Sequence, residues 1–402
     1  MKRQLGKVVV SCAAVGLASL LTACSGGGGD STASAGETIK VMAMGQFVSP
    51  GLQQPEGRDA AQAAVDSINA AGGINGKQID LIICNDKRDP NQAAQCARDA
   101  VSQNVVAVIS ASINFSDQVL PVLQRADIAY LKAAPTGPDE YSNDDSFPLT
   151  GGTLSDAGSA GIAMRTEGCV KPATIASPAT SSQFVGKAYG WGYQSAGGAP
   201  IDINLTVPLN SPDYAPTIAS LESQGIDCVG VAFAPTDMLN MGKVISQTSS
   251  TIKVFSIIGI SPEEVTSAYA KDGVALTIGS AYPPLADTTF TGLDEFRTDL
   301  AAKNVPVNGV SIQGYLGFEV FQTVAAAMTG PITAESFKQA LEGSTAVQVL
   351  GLEPIDFSKE LPVQGYNRVF NPNAYLLQVR DGKVVVAGPP VDTTPVFSFI
   401  KP

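Results

Sequence analysis

The sequence predicts an α/β protein made of two similar domains, each a doubly wound parallel sheet. Three observations carry that expectation: short apolar strands alternate with amphipathic helices, the alternation stops and restarts once after about residue 150, and 402 residues suffice for two cores. The chain is 44% hydrophobic and 15% charged, a balance of packed rather than disordered proteins.

The first domain opens with the apolar strand TIKVMAM. PEGRDAAQAAVDSINAAGG then reads as a helix with Ala61, Ala64, Val65, Ile68 and Ala71 on one face, ended by Gly72-Gly73. GGINGKQ superficially resembles a phosphate loop, but Ala71 stands where the first glycine belongs and Gln78 where Ser or Thr should follow the lysine, so it reads as a turn. The strand QIDLII, the helix NQAAQCARDAVSQN, the strand VVAVIS, a helix around SDQVLPVLQRAD and the strand IAYLKA follow. The rhythm restarts at ATIAS and continues through IDINLTV, the helix YAPTIASLESQG, CVGVAF, VISQTSS and KVFSIIG.

Upstream of both domains the chain has the layout of an export signal. Lys2, Arg3 and Lys7 form a basic head, and Val8 to Leu21 an apolar core too short to span a bilayer comfortably. The tetrad Leu21-Thr22-Ala23-Cys24 resembles a bacterial lipobox, which implies cleavage after residue 23 and lipidation of Cys24. Residues 24–37 are rich in Gly, Ser, Ala and Thr and should form a flexible tether of roughly 20 Å.

Charge and composition then exclude several functions. With 25 basic and 37 acidic residues the net charge is −12, and the basic head leaves with the signal, so nucleic acid is not an expected partner. The chain contains no histidine, which excludes Ser-His-Asp and Cys-His catalysis and His-containing zinc sites. The carboxylates Asp139, Glu140, Asp144 and Asp145 in GPDEYSNDD read as a solvated turn rather than an acid-base pair, and no cofactor, metal site or enzyme activity is expected. Cys12 leaves with the signal and Cys24 is lipidated, which leaves Cys84, Cys96, Cys169 and Cys228. Four cysteines permit three pairings; their places on strands and the intervening helix favour Cys84 with Cys96 and Cys169 with Cys228.

Three blocks carry a family resemblance. AAVDSINAAGGINGKQIDLIICNDKRDPNQAAQCA closely resembles the opening of the type I periplasmic binding proteins of the leucine/isoleucine/valine-binding family. SPDYAPTIASLESQGIDCVGVAF and NGVSIQGYLGFEVFQTVAAAM are similar to later blocks of that family. The resemblance implies a bilobed clamp with three crossovers, near Thr150, Ser280 and Gly351. Lobe one would hold 38–150 and 281–350, and lobe two 151–280 and 351–402, closing with EPIDFS and AYLLQVRDGKVVVAG as a returning strand pair. It further implies a small organic ligand, such as a branched-chain amino acid or a related carboxylate or amide, delivered to ABC permease subunits in the cytoplasmic membrane by a lipid-anchored protein. The same clamp could instead serve as the sensing half of a receptor.

Doubly wound sheets bind ligands outside the carboxyl ends of their strands. In lobe one these ends carry Ser112 and Asn114, in a loop where the family also places a small hydroxyl, and Thr136, which matches a family position that receives a carboxylate. Ser116-Asp117 reads as a helix cap. Phe47, Phe184 and Phe233 are candidates for an apolar wall. Amino-acid binders of the family carry an acid just after the strand matching KVFSIIG to pair the ammonium; here the first acid is Glu263, so a ligand without an ammonium fits as well.

Overall fold

The computed structural model describes residues 38–49, 52–208, 210–380 and 382–400. The export signal, Cys24 and the tether lie outside the described residues. No described helix is long and apolar enough to cross a membrane.

Lobe one begins with β1 (Ile39–Gly45), the two-residue strands β2 (Val48–Ser49) and β3 (Leu52–Gln53), and α1 (Pro55–Ala70). It continues with β4 (Ile79–Asn85), α2 (Pro90–Ser102), β5 (Ala107–Ser110), α3 (Ser116–Gln124), β6 (Ala129–Lys132) and β7 (Ser146–Pro148). Lobe two comprises α4 (Gly152–Thr166), β8 (Pro172–Ala176), α5 (Thr180–Ser195), β9 (Asn204–Thr206), α6 (Ala215–Ser223) and β10 (Cys228–Ala232). Then come α7 (Pro235–Gln247), β11 (Lys253–Ile257), α8 (Glu263–Asp272) and β12 (Leu276–Ser280). The chain returns to lobe one for α9 (Asp294–Ala302), α10 (Gly309–Ala326) and α11 (Ala334–Glu342). It ends in lobe two with β13 (Asn373–Arg380), β14 (Lys383–Val386), β15 (Val391–Asp392) and α12 (Thr394–Phe397).

Among the described residues the lobe-one sheet has the order β4-β1-β5-β6-β7, all parallel. Lobe two repeats that order as β9-β8-β10-β11-β12, and antiparallel β13 and β14 extend it. Strands β5, β6, β10 and β12 are buried throughout, as parallel strands covered by helices on both faces must be. In each lobe one helix lies against the lobe's first helix at backbone distance. A Cβ on Gly314 of α10 would stand 2.0 Å from the Gly57 carbonyl of α1, and one on Gly192 of α5 would stand 2.0 Å from the Gly158 carbonyl of α4. Glycine is the only residue these approaches admit.

Several local expectations are refined. GGINGKQ is indeed a turn, closed by the bridge between Ile74 and Lys77, with Asn75 and Gly76 at positive φ. Ala71 follows α1 and is exposed rather than part of its buried face. Ser116 opens α3 without capping it: the capping position is Phe115, whose side chain accepts nothing. EPIDFS forms only a one-residue bridge between Ile355 and Val347, so the returning pair is β13 with β14. The disulfides join Cys84 to Cys96 and Cys169 to Cys228, with Cα separations of 5.8 and 5.9 Å.

The first two crossovers fall where the chain leaves β7 and β12. Beyond Gly351 the chain touches both lobes: Tyr366 lies 6.0 Å from the Phe397 ring of lobe two, while other residues of the same stretch reach β7. Phe357 and Phe370 lie 6.0 and 6.1 Å from the Phe147 ring of β7. The Arg368 guanidinium lies against both Phe147 and Phe370, 4.6 Å from each ring centre, and donates from Nε to the Ser146 carbonyl.

Candidate ligand-binding site

In a sheet of this order, the two central strands send their connections to opposite sides, and a crevice opens where they part. In lobe one that point lies between β1 and β5. Gln46, directly after β1, donates from Nε2 to Ser112 Oγ at 2.9 Å, and its Oε1 accepts from Asn114 Nδ2 at 3.3 Å. Its backbone N–H donates to the Ser112 carbonyl at 2.8 Å. The structure therefore brings Ser112 and Asn114 together through Gln46, a residue that sequence reasoning missed although a polar side chain at a strand's carboxyl end was the available sign.

Lobe two places Ser177 at the equivalent point between β8 and β10. Ser177 Oγ donates to Ser182 Oγ at 2.8 Å, and Gln183 Nε2 donates to the Ser177 carbonyl at 2.7 Å. Helices α1, α3, α5 and α7, which start beside these points, have no side-chain cap, so first-turn N–H groups there have no side-chain acceptor. Asp89, Asn308 and Thr333, in contrast, cap α2, α10 and α11.

The three aromatic candidates sit differently from one another. Phe47 is 3% exposed, its ring packed over Gly45 and Gly57 while its N–H bonds Asn85 Oδ1 at 3.1 Å. Phe233 is equally buried, 5.8 Å from the Tyr214 ring. Phe184 is half-buried and meets Trp191 edge to face at 5.6 Å.

Thr136 is exposed in the loop after β6, but its backbone N–H is already used. It donates to Glu140 Oε2 at 2.6 Å, the Gly137 N–H donates to the same oxygen at 3.1 Å, and the Thr136 hydroxyl lies 3.4 Å from it. Oε1 of Glu140 faces Lys132 Nζ at 3.0 Å and accepts from the Tyr130 hydroxyl at 3.3 Å. Lys132 also donates to the Ile113 carbonyl at 3.1 Å. Lys132 and Glu140 are 1% and 0% exposed, and Asp145 is buried in an ion pair with Lys338. Two of the four carboxylates read as a solvated turn are thus interior groups with cationic partners, because the chain folds that turn inward under β6 and β7.

The same loop is fastened to the first crossover. Thr150 Oγ1 donates to the Ala133 carbonyl at 2.8 Å, and the Tyr141 hydroxyl reaches the Pro135 and Gly151 carbonyls at 3.1 and 3.2 Å. Gly152, at φ 60°, lies so close that a Cβ would stand 2.3 Å from the Pro135 carbonyl. Near the second crossover, Asp156 Oδ1 and the Tyr282 hydroxyl are buried without a protein partner. Burial drives the Asp156 carboxyl well above the usual carboxylate range, and it faces no cation that would offset this.

No acid follows β11 directly. Ser261 bonds Ser256 there, and Glu263 is exposed in the first turn of α8. Asp237, buried at the start of α7, accepts from Tyr214 Oη and from the Asn210 and Ser211 N–H groups, so it organises its own loop. Two surface depressions, of about 470 and 410 Å³, lie away from both strand-end clusters, between α10 and α11 and beside α3.

A sequence model of the family described as periplasmic binding protein matches residues 44–383. The leucine-, isoleucine-, valine-, threonine- and alanine-binding protein of Pseudomonas aeruginosa is 34% identical over 103 residues, 25% of this chain; the match spans only 28% of that protein's length. A putative branched-chain amino acid ABC transporter from Rhodospirillum rubrum shares the fold with a TM-score of 0.71 at 18% identity, over 87% of this chain and all of the other. A solute-binding protein of an ABC transporter from R. palustris, solved with benzoate, superposes with a TM-score of 0.64 at 15% identity, over 88% of this chain and 98% of the other.

Proposed function

We propose, from the premise that this chain belongs to the periplasmic binding protein family, that it captures a small organic solute between its two lobes outside the cytoplasm and hands it to an ABC permease. The solute is a branched-chain amino acid or a related small carboxylate or amide, and Cys24 carries the lipid that keeps the protein at the membrane. The observation that carries the reading is the pair of matching clusters at the two strand-order reversals, Gln46-Ser112-Asn114 in lobe one and Ser177-Ser182-Gln183 in lobe two. Ser112, Asn114 and Thr136 hold the solute's polar end, and Phe184, with the edges of Phe47 and Phe233, bounds its apolar body.

Thermal shift against a panel of small solutes tests this. A solute that binds only the folded protein raises stability by RT ln(1 + [L]/Kd), about 2.7 kcal/mol at a hundredfold excess over Kd. The panel holds aliphatic amino acids, their deaminated acids, aromatic acids and short amides. At least one class should raise Tm in a saturable way; no shift with any class would count against solute capture. Deaminated acids or amides should outperform the parent amino acids, because no acid follows β11 to pair an ammonium.

A further inference from the structure

The loop after β6 contains an anion receptor that is already filled. Successive N–H groups of Thr136 and Gly137 and the Thr136 hydroxyl converge on one oxygen, an arrangement that suits a carboxylate. The carboxylate it holds is the protein's own Glu140. We propose that Glu140 is a specificity-determining residue: by occupying this receptor it makes the β6 end of the site accept an uncharged hydrogen-bonding group, such as an amide, hydroxyl or carbonyl, and refuse a carboxylate.

Two features keep Glu140 in place. Its other oxygen is held by Lys132 and the Tyr130 hydroxyl, and both members of the ion pair are sealed from water. Swinging Glu140 out would take from the buried Lys132 ammonium its directly paired carboxylate, leaving the Ile113 carbonyl as its hydrogen-bond partner and Asp86 as a nearby charge, which is unfavourable. An incoming carboxylate would find the Thr136 and Gly137 N–H donors already spent on Glu140, and Lys132, the cation beside them, already paired with it. What remains for a ligand is the exposed Thr136 hydroxyl, only weakly held at 3.4 Å, and the side chains of Ser112, Asn114 and Gln46. All four are uncharged and can both donate and accept. The inference rests on the solute-capture reading, whose failure it can be told apart from.

Two measurements on the full chain test it. Calorimetric titration compares ligands that differ only in their end group, benzamide with benzoate and isovaleramide with isovalerate. Wild type should bind the amide at least about tenfold more tightly, and Thr136→Val should lose most of that preference. A carboxylate that binds more tightly than its amide and is weakened by Thr136→Val overturns the proposal. If wild type binds none of the four, the solute reading loses support and the second measurement decides on Glu140 alone. Glu140→Ala empties the receptor, so formate, compared with chloride at equal ionic strength, should raise the Tm of this variant by several degrees and leave wild type unmoved. Equal shifts in both proteins, or none in the variant, overturn the proposal. Should Glu140→Ala be recovered unfolded, refolding in formate but not chloride supports it. Refolding in neither, while Glu140→Gln folds, overturns it.

Discussion

Glu319 on α10 is a carboxyl group that the fold brings into the neutral range. Burial, then the nearby charges of Glu295 and Asp299, push it up to about 7 against an opposing hydrogen bond with Tyr315. The sign of the effect on stability follows from linkage. A raised carboxyl pKa means the native state holds a proton that the unfolded chain has released, so the contribution is complete below the unfolded value near 4.5 and is lost as pH rises through about 7. Asp156, also raised, acts in the same direction. We expect Tm to fall between pH 5 and pH 8, and Glu319→Gln to flatten part of that fall and to stabilise the protein by about 2 kcal/mol at pH 8. Thermal melts across that range decide it: an unaltered slope in the variant would assign the ionisation elsewhere. Glu140 shows why such roles were not legible at this scale. In the chain it is one acid of GPDEYSNDD, and only the fold sets it beside Lys132 and under the Thr136 N–H.

Elements were more readable than residues, because periodicity and turn chemistry act over a few positions. The strands, most helices and the turn at Gly72-Gly73 follow from local pattern, whereas EPIDFS has strand-like composition but no strand beside it to extend. The disulfides clip elements together on different scales. Cys84–Cys96 ties β4 to the next helix across a separation of 12 residues, and Cys169–Cys228 ties the end of α4 to β10 across 59. Chain entropy predicts stabilisation of about 3 kcal/mol for the shorter closure and about 4 kcal/mol for the longer. Replacing each pair by serine and measuring urea midpoints should therefore show the Cys169/Cys228 variant as the less stable. The opposite ranking would mean that packing around β4, rather than loop closure, dominates.

At the scale of the whole molecule, the two lobes repeat one strand order and are linked by three passages. Arg368, against the Phe147 and Phe370 rings, with its Nε on Ser146 and its Nη1 paired to Glu360, pins the last passage to β7 of lobe one. The proposed membrane attachment belongs to this scale too, read from the basic head, the short apolar core and the tetrad Leu21-Thr22-Ala23-Cys24. Cys24→Ala should move the protein from the membrane fraction to the soluble extracytoplasmic fraction on fractionation and immunoblotting. Retention of the variant at the membrane would show that the cysteine is not the anchor.

The sequence by itself determined the α/β class, the doubling of the domain, the absence of histidine chemistry and the strand ends at which a ligand site could form. Those properties follow from composition and from periods of two to four residues, which a linear reading can sample. The tertiary structure alone decided that Gln46 bridges Ser112 and Asn114, that Phe47 and Phe233 are nearly sealed, and that Glu140 fills the receptor at Thr136. Those contacts join side chains from separate strands, or turn a loop inward onto a buried lysine. Their energy depends on which groups lose water together, and that is set only when the sheet has formed.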